Sequence, residues 1–409
     1  WYVYDWAASA FSTTVITVFL GPYLTDIAEA AAGGPDGFVS VLGLSLRPGS
    51  IFSWTIAASV LLSAVLMPVV GALADRTQRK RELLGLFAYI GALATMAMYF
   101  VEGDRLLLGA VLLIVANIAF SVSWVVYNGY LPEIALPDER DLVSSRGWAL
   151  GYVGGLILLI ANLVLFLQHD SYGLTEGEAV RISLLSAGAW WAVFTLVPLA
   201  VLRRHRSVEP IAPGATVVSA GFGQLMHTIK ELRRYPKTLA FLVAFLLYNE
   251  GIQTVISHAS LYGAEELGLE QVTLIGAIVL VQLVAFVGAL ALGRLAGRYG
   301  AKRVVLGGLV VWMVALGFGY LMPAEAPVPF YVLAALIGFV LGGTQALSRS
   351  MFAQMIPAGR EAEYFSLYEI TDKGTSALGP VLFALAFQLT GSYRVSIIFL
   401  LVFFLSGFA

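Results

Sequence analysis

The chain has 409 residues, of which 59% are hydrophobic and only 12% are charged. Soluble globular domains usually carry about 25% charged residues, so this composition excludes a water-soluble enzyme, a disordered chain and a nucleic-acid-binding protein. The net charge of −2 provides no field that attracts polyanions, and the absence of cysteine excludes disulfides and thiolate metal sites. We therefore expect a protein embedded in lipid, with no metal and no cofactor.

A membrane-spanning helix needs about 20 mostly apolar residues. Twelve runs of this kind follow one another along the chain, and the alternating pattern of barrel strands does not appear. The pattern predicts an all-α membrane protein whose twelve transmembrane helices form two pseudo-symmetric six-helix bundles. The predicted spans are 4–24, 52–74, 83–101, 106–131, 146–168, 181–202, 237–262, 270–293, 302–322, 328–349, 364–389 and 393–409.

Basic residues flank the predicted spans unevenly, with 19 on one side of the membrane and four on the other. Because Lys and Arg accumulate in cytoplasmic loops, this asymmetry places both termini and the central loop in the cytoplasm. We expect a multi-pass protein of the cell (inner) membrane. The sequence starts at Trp1 and stops at Ala409 within an apolar run, so we interpret both ends as trimmed, and no signal-peptide pattern appears.

The two halves of the sequence repeat each other in the same orientation. Residues 71–76 match residues 293–298 at an offset of 222, and a Lys-Arg pair follows each stretch. Thr14 to Thr17 match Thr254 to Ser257 at an offset of 240. Parallel repeats are the plan of secondary transporters that bind solute where the repeats meet. We predict bundles at 1–202 and 237–409, joined by a cytoplasmic linker at 203–236 that contains an amphipathic interfacial helix.

Several short motifs resemble those of a known transporter family. They are YDWAASAF at 4–11, GALADRTQRKR at 71–81, LPEI at 131–134, YNEGIQTV at 248–255, GGTQALSRS at 342–350 and KGTSALGP at 373–380. Together they resemble the major facilitator superfamily (MFS) and, within it, a bacterial-type member of the vacuole-effluxer family, the autophagy-linked vacuolar amino-acid exporters. The resemblance implies the MFS fold and export of small amino acids. The chain departs from the family pattern at Ala8, Glu250 and Asp372, where Asn, Asp and Gly are usual.

Ionisable side chains within spans are unfavourable in lipid and generally mark solute or proton pathways. Glu250 lies roughly 20 Å along its helix from Lys237, given a rise of 1.5 Å per residue, which makes it a candidate proton carrier. The alternative is a structural Glu that is hydrogen-bonded beside Asn249 and Gln253.

Two acids and one amine lie within the predicted eleventh span. Glu369 and Lys373 are four residues apart and predict an ion pair on one helix face, with Asp372 beside them. A freed Lys373 suits a carboxylate, whereas Glu250 or Asp5 suits an amine, so these groups fit a zwitterion. Asp5 also suits a structural role at the first helix N-terminus. The remaining polar candidates for the site are Asn128, Asn249, Gln253 and Tyr368.

Other residues predict how helices pack and move. Asp75 and Arg76, with the partial repeat at Arg298, are candidate gating residues, and the alternative is a solvated cluster that only sets topology. Gly338 and Gly342 predict close helix packing, and the Gly379-Pro380 pair predicts a kink in the eleventh span.

The chain contains no GxxxxGK[ST] motif and no catalytic constellation, so it is not expected to be an enzyme. We expect a secondary active transporter of a small polar or zwitterionic, amino-acid-like solute, working by alternating access with proton-coupled export. Its expected partners are the solute, protons and the lipid bilayer, without nucleic acid, and we expect a monomer. A multidrug or lipid exporter and a receptor that binds ligand without moving it remain the alternatives.

Overall fold

A computed structural model describes the protein at residues 1–35, 37–41, 43–77, 79–202, 230–373 and 378–409. Most of the amphipathic helix predicted in the linker falls at 203–229, outside these residues.

Ten described helices are long and apolar enough to cross a membrane, and each coincides with one of the first ten predicted spans. The all-α architecture is therefore confirmed. The helices are α1 (Tyr2–Ala32), α2 (Ile51–Arg76), α3 (Lys80–Ala97), α4 (Leu106–Asn128), α5 (Arg140–Leu167), α6 (Glu176–Val201), α7 (Pro236–Leu261), α8 (Gln271–Tyr299), α9 (Ala301–Tyr320) and α10 (Pro327–Gln354). A single further turn of helix, Leu131–Ile134, lies between α4 and α5.

The last two predicted spans appear as pairs of shorter helices. Helices α11 (Glu361–Lys373) and α12 (Leu378–Thr390) lie on either side of residues that are not described, and α13 (Tyr393–Phe399) is followed by α14 (Leu401–Phe408). Pro380 falls in the first turn of α12. A proline is tolerated there because the N–H groups of a first turn have no partner within the helix.

Local sequence signals explain where several helices begin and end. Proline occupies the first position of α7 and of α10, where its missing N–H is not needed. Helix α6 begins with a capping box between Thr175 and Glu178. Gly33 ends α1 in the left-handed conformation, with φ of 75°.

Helix α1 is not a regular α-helix, a feature that the sequence analysis did not predict. Its middle section, Phe11–Phe19, is a π-helix. The Thr17 hydroxyl donates to the carbonyl of Ser12, five residues back, at 2.8 Å. Such wide turns are rare and are frequent at functional sites.

The long loop after α1 contains a small hairpin, which was also not predicted. Strands β1 (Val39–Val41) and β2 (Leu44–Leu46) pair antiparallel, with Val39 opposite Leu46. Gly43 supplies the positive φ of 82° in the connection, which glycine adopts readily.

The chain divides into two compact units, which we describe separately. The first comprises 1–127 and 153–221, and the second comprises 128–152 and 222–409. The division into bundles at 1–202 and 237–409 remains a prediction.

The core of the first unit is built around Trp191, which is fully buried. Its ring lies 5.6 Å from the ring of Phe11 and 5.9 Å from that of Phe120. At Gly91 an added Cβ would lie 2.3 Å from the Trp191 indole, so a side chain at this position would displace the ring. Small residues on α3 therefore allow the largest side chain of α6 into the core.

The core of the second unit depends on close contact between α8 and α10. A Cβ added at Gly342 would lie 2.2 Å from the carbonyl oxygen of Ala285, and one at Gly338 would lie 2.7 Å from that of Val281. The predicted close packing at these glycines is confirmed.

Large apolar side chains remain exposed on the outer helix faces, such as Leu61 and Leu389, as expected for a lipid-facing surface.

Candidate functional site

A cluster of amides and a carboxylate joins three helices of the second unit. Asn249 of α7 donates from Nδ2 to Oδ1 of Asp372 on α11 at 2.8 Å, and its Oδ1 accepts from Nε2 of Gln345 on α10 at 2.9 Å. These two bonds fix the orientation of the Asn249 amide, which directs its donor at the carboxylate. The predicted residues Asn249 and Asp372 thus lie together, and Gln345 was missed.

The ion pair predicted on α11 is present. Nζ of Lys373 lies 3.4 Å from Oε2 of Glu369, one helical turn away. The other carboxylate oxygen, Oε1, accepts from Nδ2 of Asn128 at 2.8 Å. Glu369 is buried whereas the Lys373 side chain is 20% exposed, so the amine is the accessible end of the pair.

Glu250 is buried in the packing between α7 and α12. Its side chain is 2% exposed, and Oε2 accepts from the backbone N–H of Gly379 at 2.7 Å. A carboxylate at the first turn of a helix is stabilised by the helix dipole. This bond matches the structural alternative for Glu250.

The two other candidates near Glu250 differ in their surroundings. Gln253 is half-buried on α7, and among the described residues its side chain makes no hydrogen bond. Tyr368 is buried and stacks on Phe245 with ring centroids 4.3 Å apart and on Phe352 at 5.2 Å. The structure therefore places Tyr368 within an aromatic stack.

Asp5 belongs to the first unit and is 1% exposed. Its Oδ2 accepts a short hydrogen bond from the hydroxyl of Tyr127. The indole N–H of Trp1 donates to the Tyr127 carbonyl at 2.9 Å, and the two rings stack at 4.5 Å. The start of α1 and the end of α4 are thus fastened together around this carboxylate.

Arg349 of α10 is the main residue that the sequence analysis missed, because it counted only as a basic residue at a span end. It is 1% exposed, and its guanidinium donates to Ser144 and Asn128. The signal available was the one-turn spacing of Gln345 and Arg349, which places both polar side chains on one helix face.

A second missed contact also lies on α10. The hydroxyls of Tyr248 and Ser348 are 2.6 Å apart, and both residues are buried.

The candidate gating residues lie in both units. Asp75 pairs with Lys80 at 3.0 Å, and both side chains are buried. Arg76, beside Asp75, is half-buried. Arg298 belongs to the second unit, at the end of α8, where its guanidinium lies 5.4 Å from the ring centroid of Tyr299.

One charged cluster lies outside the predicted spans. Arg360 contacts Glu231, from the end of the linker, and Glu363, at the start of α11. Burial lowers the pKa of Arg360, but the hydrogen bonds to Glu363 and Glu231 outweigh burial and raise its pKa above the ordinary value. The guanidinium therefore stays charged and fastens the linker end to α11.

Two features bear on what the second unit could hold. Among the described residues, no group of three or more His, Cys, Asp or Glu side chains is placed to hold a metal ion. An apolar cavity of about 30 Å³, lined by His258, Trp312 and Phe383 among others, has room for about two water molecules.

Comparison with known proteins identifies the family. The sequence pattern of the family described as "Vacuole effluxer Atg22 like" matches residues 1–409. The MFS-type transporter YxiO of Bacillus subtilis is 31% identical over 411 residues, which cover 100% of this chain and 92% of the relative. Autophagy-related protein 22 of Eremothecium gossypii is 28% identical, covering 98% of this chain and 87% of the relative.

Solved structures show the same fold. The human organic anion transporter MFSD10 (TETRAN) gives a TM-score of 0.73 at 14% identity, covering 100% of this chain and 97% of that one. The proton:xylose symporter XylE gives a TM-score of 0.69 at 12% identity, covering 100% and 92%. The chain is a multi-pass membrane transporter of the MFS type and not an enzyme. As its motifs predicted, it belongs to the vacuole effluxer (Atg22-like) family, and its bacterial relative fits a bacterial-type member.

Proposed function

We propose that the chain is a secondary active transporter that exports a small zwitterionic, amino-acid-like solute by alternating access, coupled to protons. The observation that carries the proposal is the partly exposed Lys373 side chain, which pairs with Glu369 and directly follows Asp372 in the sequence. The family description as an effluxer, together with the family resemblance to amino-acid exporters, supports the direction and the class of solute.

In this proposal the two ends of the solute replace contacts within α11. The solute carboxylate takes Lys373 from Glu369, and the solute amine binds the carboxylate of Asp372. Asn249 and Gln345 hold Asp372 in place through their shared amide bonds. A zwitterion therefore gives Lys373 and Asp372 ionic partners, while Glu369 keeps its hydrogen bond from Asn128.

Glu250 is the proposed proton carrier. It is an ionisable group within a span, and its contact with Gly379 N–H depends on an acceptor lone pair. Protonation removes the charge that the first turn of α12 stabilises, so it would loosen the contact between α7 and α12.

The proposed gate uses Asp75, Arg76 and Arg298, on the side of the membrane that the basic residues mark as cytoplasmic. Both termini would face the cytoplasm of a cell bounded by this membrane. The buried pair between Asp75 and Lys80 supports a fixed loop conformation, because two buried charges persist only when they are paired.

The test is counterflow of labelled amino acids in proteoliposomes that contain the purified chain, with and without a pH gradient. We expect uptake for at least one small amino acid, and loss of that uptake in Lys373→Met. The matched control is Lys302→Met, which removes an exposed lysine at the start of α9. No uptake of any amino acid would refute the solute class, and equal uptake by both variants would refute the role of Lys373.

A further inference from the structure

The segment 128–148, which connects α4 to α5 and forms the first turns of α5, is held against α10 by hydrogen bonds. The segment comes before the linker at 203–236 in the sequence, whereas its partners on α10 come after the linker. The hydrogen bonds are Ser144 Oγ to Ala346 O (2.6 Å), Ser350 Oγ to Asp141 Oδ1 (2.6 Å) and Arg140 Nη1 to Ala353 O (2.8 Å).

Arg349 lies at the centre of these contacts. Nε donates to Ser144 Oγ and Nη2 to the Ser144 carbonyl, both at 2.9 Å, and the guanidinium lies 5.4 Å from the ring centroid of Trp148. A buried guanidinium is strongly unfavourable unless its donors are satisfied. Lysine cannot reproduce this fork of donors. The docked segment therefore supplies hydrogen-bond acceptors to the buried guanidinium of Arg349.

Asn128 connects Arg349 to the ion pair on α11. Its Oδ1 accepts from Nη1 of Arg349 at 3.3 Å, and its Nδ2 donates to Glu369 at 2.8 Å. Only one orientation of the amide makes both bonds. Since hydrogen bonds in a chain polarise and strengthen one another, the charge on Glu369 strengthens the hold of Arg349 on Asn128.

We propose that Arg349 is a positioning residue that keeps the segment 128–148 docked, and that Asn128 couples this docking to the charge on Glu369. The importance of this coupling for transport rests on the proposed function, in which a solute takes Lys373 from Glu369. The docking of the segment does not depend on the proposed function. A change at the solute site thereby alters how firmly the segment is held.

The natural absence of cysteine allows a direct test. Ser145 is fully buried against Gly293, and its hydroxyl has no hydrogen-bond partner among the described residues, so Ser145→Cys removes no hydrogen bond. Labelling of this thiol by N-ethylmaleimide in the full-length, detergent-purified chain reports how often the segment undocks. The control is Ser63→Cys, a buried position in the first unit that is not part of the segment or of its partners.

We expect Arg349→Lys and Asn128→Ala each to accelerate labelling at position 145 by about tenfold, since each removes a charge-assisted hydrogen bond. The Ser63→Cys thiol should be unaffected. Unchanged labelling in both variants would overturn the role of Arg349. If Arg349→Lys accelerates labelling of both thiols, the chain has unfolded. Ser350→Ala then tests the docking, because loss of the Ser350 bond to Asp141 must accelerate labelling at position 145 alone.

The coupling has its own readout. Glu369→Gln should accelerate labelling at position 145 by several-fold when Asn128 is present and have no effect in Asn128→Ala. Equal effects in both backgrounds would overturn the coupling. Because no solute is used, failure of the counterflow experiment with this coupling intact would refute the transported solute and leave the docking inference standing.

Discussion

Gly379→Ala should separate α12 from α7 at their closest approach. A Cβ at this position would lie 1.7 Å from the Thr254 hydroxyl and 3.0 Å from the Glu250 carbonyl oxygen, neither of which is the flexible end of a long side chain. The helices must therefore move apart, and the bond from Gly379 N–H to the Glu250 carboxylate, 2.7 Å long, is lost or stretched.

Two free-energy terms set the size of the effect. Overpacking a core position costs about 1–3 kcal/mol, and losing a hydrogen bond to a charged group costs about 1.5–3 kcal/mol. The same movement of the helices relieves the overpacking and breaks the hydrogen bond, so the two costs do not add in full. We expect a loss of about 3 kcal/mol in the free energy of unfolding. For a unit of this size that loss lowers the melting temperature by roughly 5–10 °C.

The assay is thermal unfolding of the detergent-purified chain, followed by tryptophan fluorescence. The matched control is Gly307→Ala, a helical position on α9 where an added Cβ has no neighbour within 4 Å; it should change the melting temperature little. Thr254→Ala removes the clashing oxygen, so the double variant should recover part of the loss. If Gly379→Ala and Gly307→Ala have the same melting temperature, the close contact between α7 and α12 is wrong.

Three further predictions follow from the buried charges. Glu250→Gln should abolish uptake driven by a pH gradient and leave counterflow intact, because the side chain can no longer carry a proton; retained pH-driven uptake would contradict its role. Lys80→Met should destabilise the chain by about 3–5 kcal/mol, because it removes a buried cationic partner of the Asp75 carboxylate. The double variant Asp75→Asn/Lys80→Met should recover part of the lost melting temperature. Tyr127→Phe should lower the melting temperature by several degrees through loss of the donor to Asp5, whereas an unchanged value would show that this bond contributes nothing.

The spans and the family could be predicted from the sequence because both depend on local information. Twenty apolar residues in a row identify a membrane helix wherever they occur, and the four-residue spacing of Glu369 and Lys373 was enough to predict their ion pair. The π-helix in α1 could not be predicted, since its turns differ from α-helical ones by one residue per hydrogen bond and no composition signal marks them.

The wider site could not be predicted for a different reason. The bonds from Asn128 to Glu369 and from Gln345 to Asn249 join residues 241 and 96 positions apart. A single sequence contains no information about such pairs. For the same reason nothing in the sequence marked Arg349 as a partner of Ser144 and Asn128.

The pairing of these buried charges has a consequence for solute selection. Each charged group on α11 already has a partner. A solute that binds there must therefore form contacts at least as favourable as those that it breaks. A neutral solute that displaced Lys373 from Glu369 would break this ion pair without replacing it, at a cost of about 3–5 kcal/mol. That penalty corresponds to a discrimination of at least about a hundredfold. A zwitterion reduces this penalty because its carboxylate pairs with Lys373 and its amine pairs with Asp372, and this is the physical reason to expect amino acids rather than uncharged solutes at this site.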